Sequence, residues 1–384
     1  MEILLLDLDD VLLETHAYHD SLIESLDRIS MALGFDPLHL TDDEIRAFEA
    51  AGVTAEWDSS AITVALLLEE AQRQARHVTL PYALPPQLPA PVQSPRPDLL
   101  AFIQRLAGEP GTGAHPRQSA ESLLLARPDG RSPATTQAIR EVLHNGYDVR
   151  RSVSHRLIQE LNLGSRLFSQ LYATEAWLEC EGYLHTRDLP ALSAPLRARL
   201  IEWMSAPAHA VSVFTNRSCH RPDGQPAATE MELGLQAAGL PDLPAIGLGH
   251  LAWLAEQHHL LPYAFLKPSA VHSLAAMRCA LGDPVEIAVE RAAALSGQGQ
   301  ADGGWRRLDG AKVIAFDDAA KGIRSAVAAQ HVLEQNGIRV GLRKIGVSPH
   351  AVKARALQQA GARVYPNVEA ALRGEVFDLR VAGR

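Results

Sequence analysis

Three short apolar runs, each ending at a polar or acidic residue, constrain the fold of this chain more than any other feature. They are Ile3-Leu4-Leu5-Leu6 ending at Asp7, Val211-Ser212-Val213-Phe214 ending at Thr215, and Val313-Ile314-Ala315-Phe316 ending at Asp317. Each has the length and apolar content of a strand buried on both faces, as in a parallel sheet. Ile338 to Leu342 and Ala362 to Tyr365 are two further candidates. Helical patterns lie between the later runs, over residues 227–238, 270–280, 321–335 and 349–359. Strand alternating with helix predicts an α/β fold with a doubly wound parallel sheet.

The spacing of the runs is uneven. Most of the stretch between Asp10 and Ala210 is helical in pattern, over residues 16–33, 42–51, 60–75, 98–106, 133–143 and 155–161. Thr41 with Glu44 three residues later has the form of a capping box. The segment from Pro81 to Pro97 carries seven prolines, counted over positions 81, 85, 86, 89, 91, 95 and 97, and reads as an extended connector. Loops at 107–118 and 297–304 are rich in Gly or Pro. A chain of 384 residues exceeds the size at which one core keeps growing. The expectation is a core of residues 1–14 and 205–384. A large helical domain over residues 15–204 is inserted after its first strand, with hinges near Leu13–Glu14 and Ala206–His209.

Composition narrows the partners. The chain has 45 acidic and 36 basic residues, a formal net charge of -9, which argues against nucleic acid or an anionic membrane as the main partner. Its three cysteines, Cys180, Cys219 and Cys279, are far apart, which fits neither a disulfide framework nor a zinc site and suits a reducing cytoplasm. Carboxylates follow Leu6 at once, so the first residues do not read as a secretory signal. No apolar run reaches the length of a membrane span. Nothing in the sequence sets an oligomeric state.

The ends of the strands carry the chemistry. Ligands of open α/β sheets sit outside the carboxyl ends of the strands. Asp7 and Asp9 close the first strand and fall on one side of an extended backbone. Two such carboxylates suit a magnesium ion, or attack by one and proton transfer by the other. Thr215 and Asn216 offer a hydroxyl and N–H groups to phosphate oxygens. Lys267 places a positive charge before a helix, and Asp317-Asp318 adds oxygen ligands for a hard cation. Alone, an Asp-x-Asp is commonly a solvated turn, and Asp317-Asp318 suits a helix cap. Carboxylates, hydroxyl, lysine and carboxylates in that order, three of the four directly after buried-type strands, point to one shared site.

These motifs resemble those of the haloacid dehalogenase superfamily. The first appears as Leu4-Leu5-Leu6-Asp7-Leu8-Asp9-Asp10-Val11, the second as Val213-Phe214-Thr215-Asn216, the third as Lys267-Pro268, and the fourth as Phe316-Asp317-Asp318-Ala319-Ala320-Lys321-Gly322-Ile323. The fourth is similar to the variant of the phosphoglycolate phosphatase and β-phosphoglucomutase branch, which also carries a helical cap after its first strand. The resemblance covers residues 1–14 and 205–375 and only loosely the cap. Asp10 stands where that family usually has Gly, Asp317 where it has Glu, Ala319 where it has Ser, and Ala270 where it has Pro.

The resemblance implies a magnesium-dependent phosphatase acting on a small phosphorylated metabolite. It implies that Asp7 attacks phosphorus and that Asp9 first protonates the leaving alkoxide and then deprotonates water. It implies magnesium held by Asp7, the Asp9 backbone carbonyl, Asp318 and Asp317, with Thr215, Asn216 and Lys267 on the phosphoryl oxygens. Arg217, His16 and His19 are candidate substrate contacts. Glu56-Trp57-Asp58 and the His185-Thr186-Arg187 cluster are weaker ones. A phosphomutase or other phosphoryl transferase would carry the same core residues, and a non-catalytic binding protein would keep the fold alone.

Overall fold

Ile3, Leu4, Leu5 and Leu6 are all fully buried, as a strand needs to be when helices cover both of its faces. In the computed structural model, which describes residues 1–53, 55–74, 96–113, 115–126, 131–298 and 301–377, they lie in β1 (Glu2–Leu6). After β1 come β2 (Leu13–Glu14), β3 (Leu189–Pro190), β4 (His209–Phe214), β5 (Ala245–Ile246), β6 (Lys312–Asp317), β7 (Gly341–Val347) and β8 (Arg363–Tyr365). Six of them form one sheet in the order β5-β4-β1-β6-β7-β8. Every pairing in it is parallel. The fold is therefore α/β with a six-stranded parallel, Rossmann-like sheet.

Alternation along the strands sorts the core into two layers. Ile3 and Leu5 of β1, with Val313 and Ala315 of β6, pack with helices Leu248–Gln257, Ala270–Ala280, Val285–Gln298 and Ala320–Gln335. Leu4 and Leu6, with Ile314 and Phe316, pack with helices Ala194–Met204, Glu230–Ala237 and Val368–Glu375. The sheet is wound on both faces, as the apolar runs predict.

The chain divides into two compact units, residues 1–15 with 187–384, and residues 16–186. The second begins just after the expected first hinge but ends earlier than the expected 204. Residues 187–204 belong with the sheet, because Leu192, Leu196 and Leu200 bury their side chains in its second core layer. Ala206–His209 is accordingly no hinge: His209 opens β4 within the first unit. The connectors that lead out of and back into the first unit pair instead, β2 antiparallel to β3.

Among the described residues of the second unit, the regular elements are all helices, from Ala17–Ala32 to Tyr183–Thr186. They share one apolar core that includes Leu26, Ile29, Phe48, Ile62, Leu67, Phe102 and Leu157. The capping box is present: the Thr41 hydroxyl accepts from the Glu44 N–H at 3.3 Å, and the Glu44 carboxylate accepts from the Thr41 N–H at 2.9 Å. Most of the proline-rich connector lies outside the described residues, as do residue 114 of the 107–118 loop and residues 299–300 of the 297–304 loop.

One strand is displaced from its expected place. Ile338 and Val340 are buried, but the Ile338 N–H bonds back to the Leu333 carbonyl and closes the preceding helix through Gly337 at φ 73°. Extended pairing starts only at Gly341 and passes through Arg343 and Lys344, which break the apolar pattern. Among the described residues, no helix is long and apolar enough to cross a membrane.

Candidate active site

The order of the sheet puts β1 between β4 and β6, so the residues at or just past the carboxyl ends of these three strands meet at one edge. The Asp7 N–H continues the ladder to the Phe316 carbonyl at 2.9 Å, and the Thr215 N–H reaches the Ile246 carbonyl at 2.9 Å. One carboxylate oxygen from each of Asp7, Asp317 and Asp318 lies within 4.8 Å of the others, and all three residues are buried. Lys267, from the loop before helix Ala270–Ala280, enters the same cluster. Its ammonium is 2.9 Å from Asp7 Oδ1 and 2.7 Å from Asp317 Oδ2, over the Phe214 ring at 3.9 Å.

Asp317 is also held by the Ala319 N–H at 2.9 Å. Its carboxylate fits only because residue 322 is glycine: a Cβ there would lie 1.6 Å from Asp317 Oδ2. The five-residue step from Asp317 to Gly322 thus has a steric cause. A second cation comes from helix Ala351–Gln359, where Lys353 is 2.7 Å from Asp318 and 3.1 Å from Asp10. Asp10 has φ 54°, a left-handed conformation that aspartate tolerates better than most residues. The residue standing where the resembled family usually has Gly therefore adopts a glycine-like backbone and uses its side chain on Lys353.

Four carboxylates, Asp7, Asp10, Asp317 and Asp318, thus meet two ammonium groups. Burial raises the Asp7 carboxyl to about 7, against the lowering pull of Lys267, with Asp317 and Asp9 adding to the rise. Burial likewise raises Asp318 to about 6, opposed by Lys353 and helped by Asp7, and raises Asp317 against the pull of Lys267. Burial alone would lower the Lys267 ammonium, but Asp317 and Asp7 outweigh it and leave it raised. The pocket holds more negative charge than its lysines neutralise. Oxygen-only donors of this kind fit a hard divalent cation such as magnesium.

Asp9 does not join that cluster through its side chain. Its Oδ1 accepts from Arg217 Nε at 2.8 Å and Nη2 at 2.6 Å, and from the Thr15 hydroxyl at 3.3 Å. Arg217 is buried, and its Nη2 also binds Asp188 at 2.7 Å. The guanidinium of Arg217, a candidate substrate contact, is turned inward onto two carboxylates. Thr215 is fully buried, and its hydroxyl accepts from the Arg217 N–H at 3.2 Å. The Asn216 side-chain oxygen is buried without a hydrogen-bond partner. His16 and His19 belong to the second unit, where His19 lies 3.7 Å from Asp20 and 3.3 Å from Asp42.

Asp7, Lys267, Asp317 and Asp318 are legible in the sequence, and the fold brings them together. Lys353 and Asp188 are not. Lys353 sits on an ordinary helix with no motif around it, and Asp188 lies next to the 185–187 cluster without being singled out. No protein-family model matches the chain, and no curated protein matches it. A solved structure does: the X-ray structure of a Northeast Structural Genomics Consortium target, 14% identical, with a TM-score of 0.60 over 98% of this chain and 99% of that one. At that identity the likeness speaks for the fold alone.

Proposed function

We propose that this chain is a phosphohydrolase that uses Asp7 as a covalent nucleophile on a small phosphate ester. The observation that carries the reading is the convergence of three buried carboxylates and one buried lysine at the carboxyl ends of β1 and β6. Perturbed carboxyls gathered at a strand edge are typical of reactive sites, which supports the reading. Asp7, Asp317 and Asp318 would hold a magnesium ion, which would neutralise charge between the anionic nucleophile and the anionic phosphate.

The residues of the chain divide the work. Asp7 attacks phosphorus, the ester P–O bond breaks, and the leaving alkoxide takes a proton from Asp9. Water, giving its proton to Asp9, then attacks the same phosphorus. The bond to Asp7 breaks, and inorganic phosphate leaves with Asp7 restored. All three Asp9 contacts above fall on Oδ1, and its side chain keeps 32% exposure, so Oδ2 is the oxygen for proton transfer. Lys267 spends two of its three donors on Asp7 and Asp317 and keeps one for a phosphoryl oxygen. Thr215 and Asn216 hold further phosphoryl oxygens. In this reading the helical unit of residues 16–186 would choose the substrate.

The test is a screen of phosphorylated sugars, glycolate, nucleotides and cofactors with and without magnesium, followed by acid quenching and mass spectrometry for a phosphoryl group on Asp7. Turnover in ¹⁸O-labelled water that puts label into free phosphate supports hydrolysis. An isomeric sugar phosphate with no free phosphate would make the protein a transferase.

A further inference from the structure

Arg217 is a buried cation of the first unit held by two carboxylates. Its side chain is 1% exposed, and that of Asp188 beneath it is 0% exposed. Two of its nitrogens grip one oxygen of Asp9, and one of these also binds Asp188. The remaining nitrogen reaches the Glu230 carbonyl at 3.4 Å. Gly234 makes room for it: a Cβ there would come within 2.9 Å of Nη1. Asp188 lies directly before β3, and β3 pairs with β2, which ends the loop that carries Asp9. Both ends of the clamp are therefore mounted on one short ladder.

A buried arginine and a buried aspartate already make a complete pair, and burying ions is costly. A purely structural bridge would not need Asp9, which is a third exposed. What the third partner gains is a fixed side-chain torsion. With Oδ1 pinned from three directions, Oδ2 has one place to be. A planar, pre-organised fork does this better than a lysine.

We propose that Arg217, clamped by Asp188, is the positioning residue that fixes Asp9 for proton transfer. This rests on the phosphohydrolase reading above. Loss of the clamp is expected to matter only where the leaving group needs a proton. An alkyl alkoxide does; a p-nitrophenolate departs without one.

The experiment compares the full-length protein with its R217M, R217K and R217M/D188N variants, the last removing the carboxylate that R217M would strand. The kcat/KM, which reports events through the first transfer, is measured for an alkyl phosphate hit and for p-nitrophenyl phosphate. The R217M/D188N protein is expected to lose about 10²-fold on the alkyl ester, the scale of general-acid catalysis, and less than about 10-fold on the aryl ester. R217K is expected to recover only part of the loss, and R217M to add nothing on a D9N background. Equal losses on both esters, or additive losses with D9N, would overturn the proposal. If the wild type shows no Asp7-dependent turnover, it is the function reading that fails. Crystal structures of R217M/D188N then decide the clamp separately: a reoriented Asp9 supports it, and an Asp9 that keeps its rotamer overturns it.

Discussion

Each unit of this protein buries charge, and two of the buried clusters differ in how far that charge is balanced. In the second unit Glu160 is fully buried. Arg156 pairs with it at 2.9 Å, and the Trp177 and Leu178 N–H groups donate to it at 2.8 and 3.0 Å. One carboxylate meets one guanidinium and two fixed dipoles, which ties two segments together and leaves little charge over. In the first unit Asp7, Asp317 and Asp318 cluster together, Lys267 pairs with the first two, and Lys353 is shared between Asp318 and the more exposed Asp10. Burial there raises all three carboxyls. A balanced buried pair is a fastener. An unbalanced one is held in a costly state by the rest of the fold, and such sites are where function concentrates.

The widest separation between the two clusters should appear on neutralising one carboxylate in each. Asp7→Asn is expected to reduce turnover more than about 100-fold, the loss of a nucleophile exceeding that of a general base. Its melting temperature should not fall, because the amide lifts a desolvation cost and Asp317 still pairs with Lys267. A residual rate above one hundredth of wild type would end covalent attack by Asp7. Glu160→Ala is expected to do the reverse and lower stability by about 3–5 kcal/mol, the scale for breaking a buried pair. Urea denaturation reads this directly, and a loss under about 1 kcal/mol would erase the contrast.

Protons and magnesium should compete at the unbalanced cluster. Asp7 at about 7 and Asp318 at about 6 both lie above the ordinary 3.8. Carboxyls raised in the folded state give stability that is complete below the unfolded value and is lost as pH climbs through 6 to 7. Without divalent cation, these groups favour the fold at pH 5 over pH 8. Magnesium takes the place of the protons, so thermal melts should show its stabilisation at pH 8 and little of it at pH 5. At about 100 times its Kd the gain is about 2.7 kcal/mol. Equal shifts at both pH values would mean that the cation binds elsewhere.

The smallest effect should come from Lys353, whose side chain is 36% exposed. Lys353→Met removes a resident cation from Asp318, so magnesium should bind more tightly by up to about fivefold, the scale of a screened ion pair of ~1 kcal/mol. Titration calorimetry on the full-length protein reads the change. Weaker binding would show that Lys353 helps to shape the metal site.

Much of the first unit was legible because its strands are buried on both faces. The runs ending at Asp7, Thr215 and Asp317 have no polar alternation to confuse them with half-exposed strands, and helix Ala270–Ala280 lies where its pattern predicts. β7 was less legible. Its buried end is apolar, but Arg343 and Lys344 interrupt its start, while the truly apolar Ile338 is spent closing a helix. β5 has only two residues and no periodicity to read.

Sequence alone determined which residue types end the central strands, because chain order fixes the side chain next after each apolar run. It therefore named Asp7, Asp317 and Asp318 together. Only the tertiary structure decided what each carboxylate faces. Strand order set β1 beside β6 and brought Lys267 between their ends. The packing of helix Ala351–Gln359 delivered Lys353, and the β2–β3 ladder delivered Asp188 to Arg217. Those partners lie far apart along the chain, and charge acts through space over a few ångströms. No local pattern foretells whether an arginine just past a buried strand turns outward to solvent or inward to Asp9.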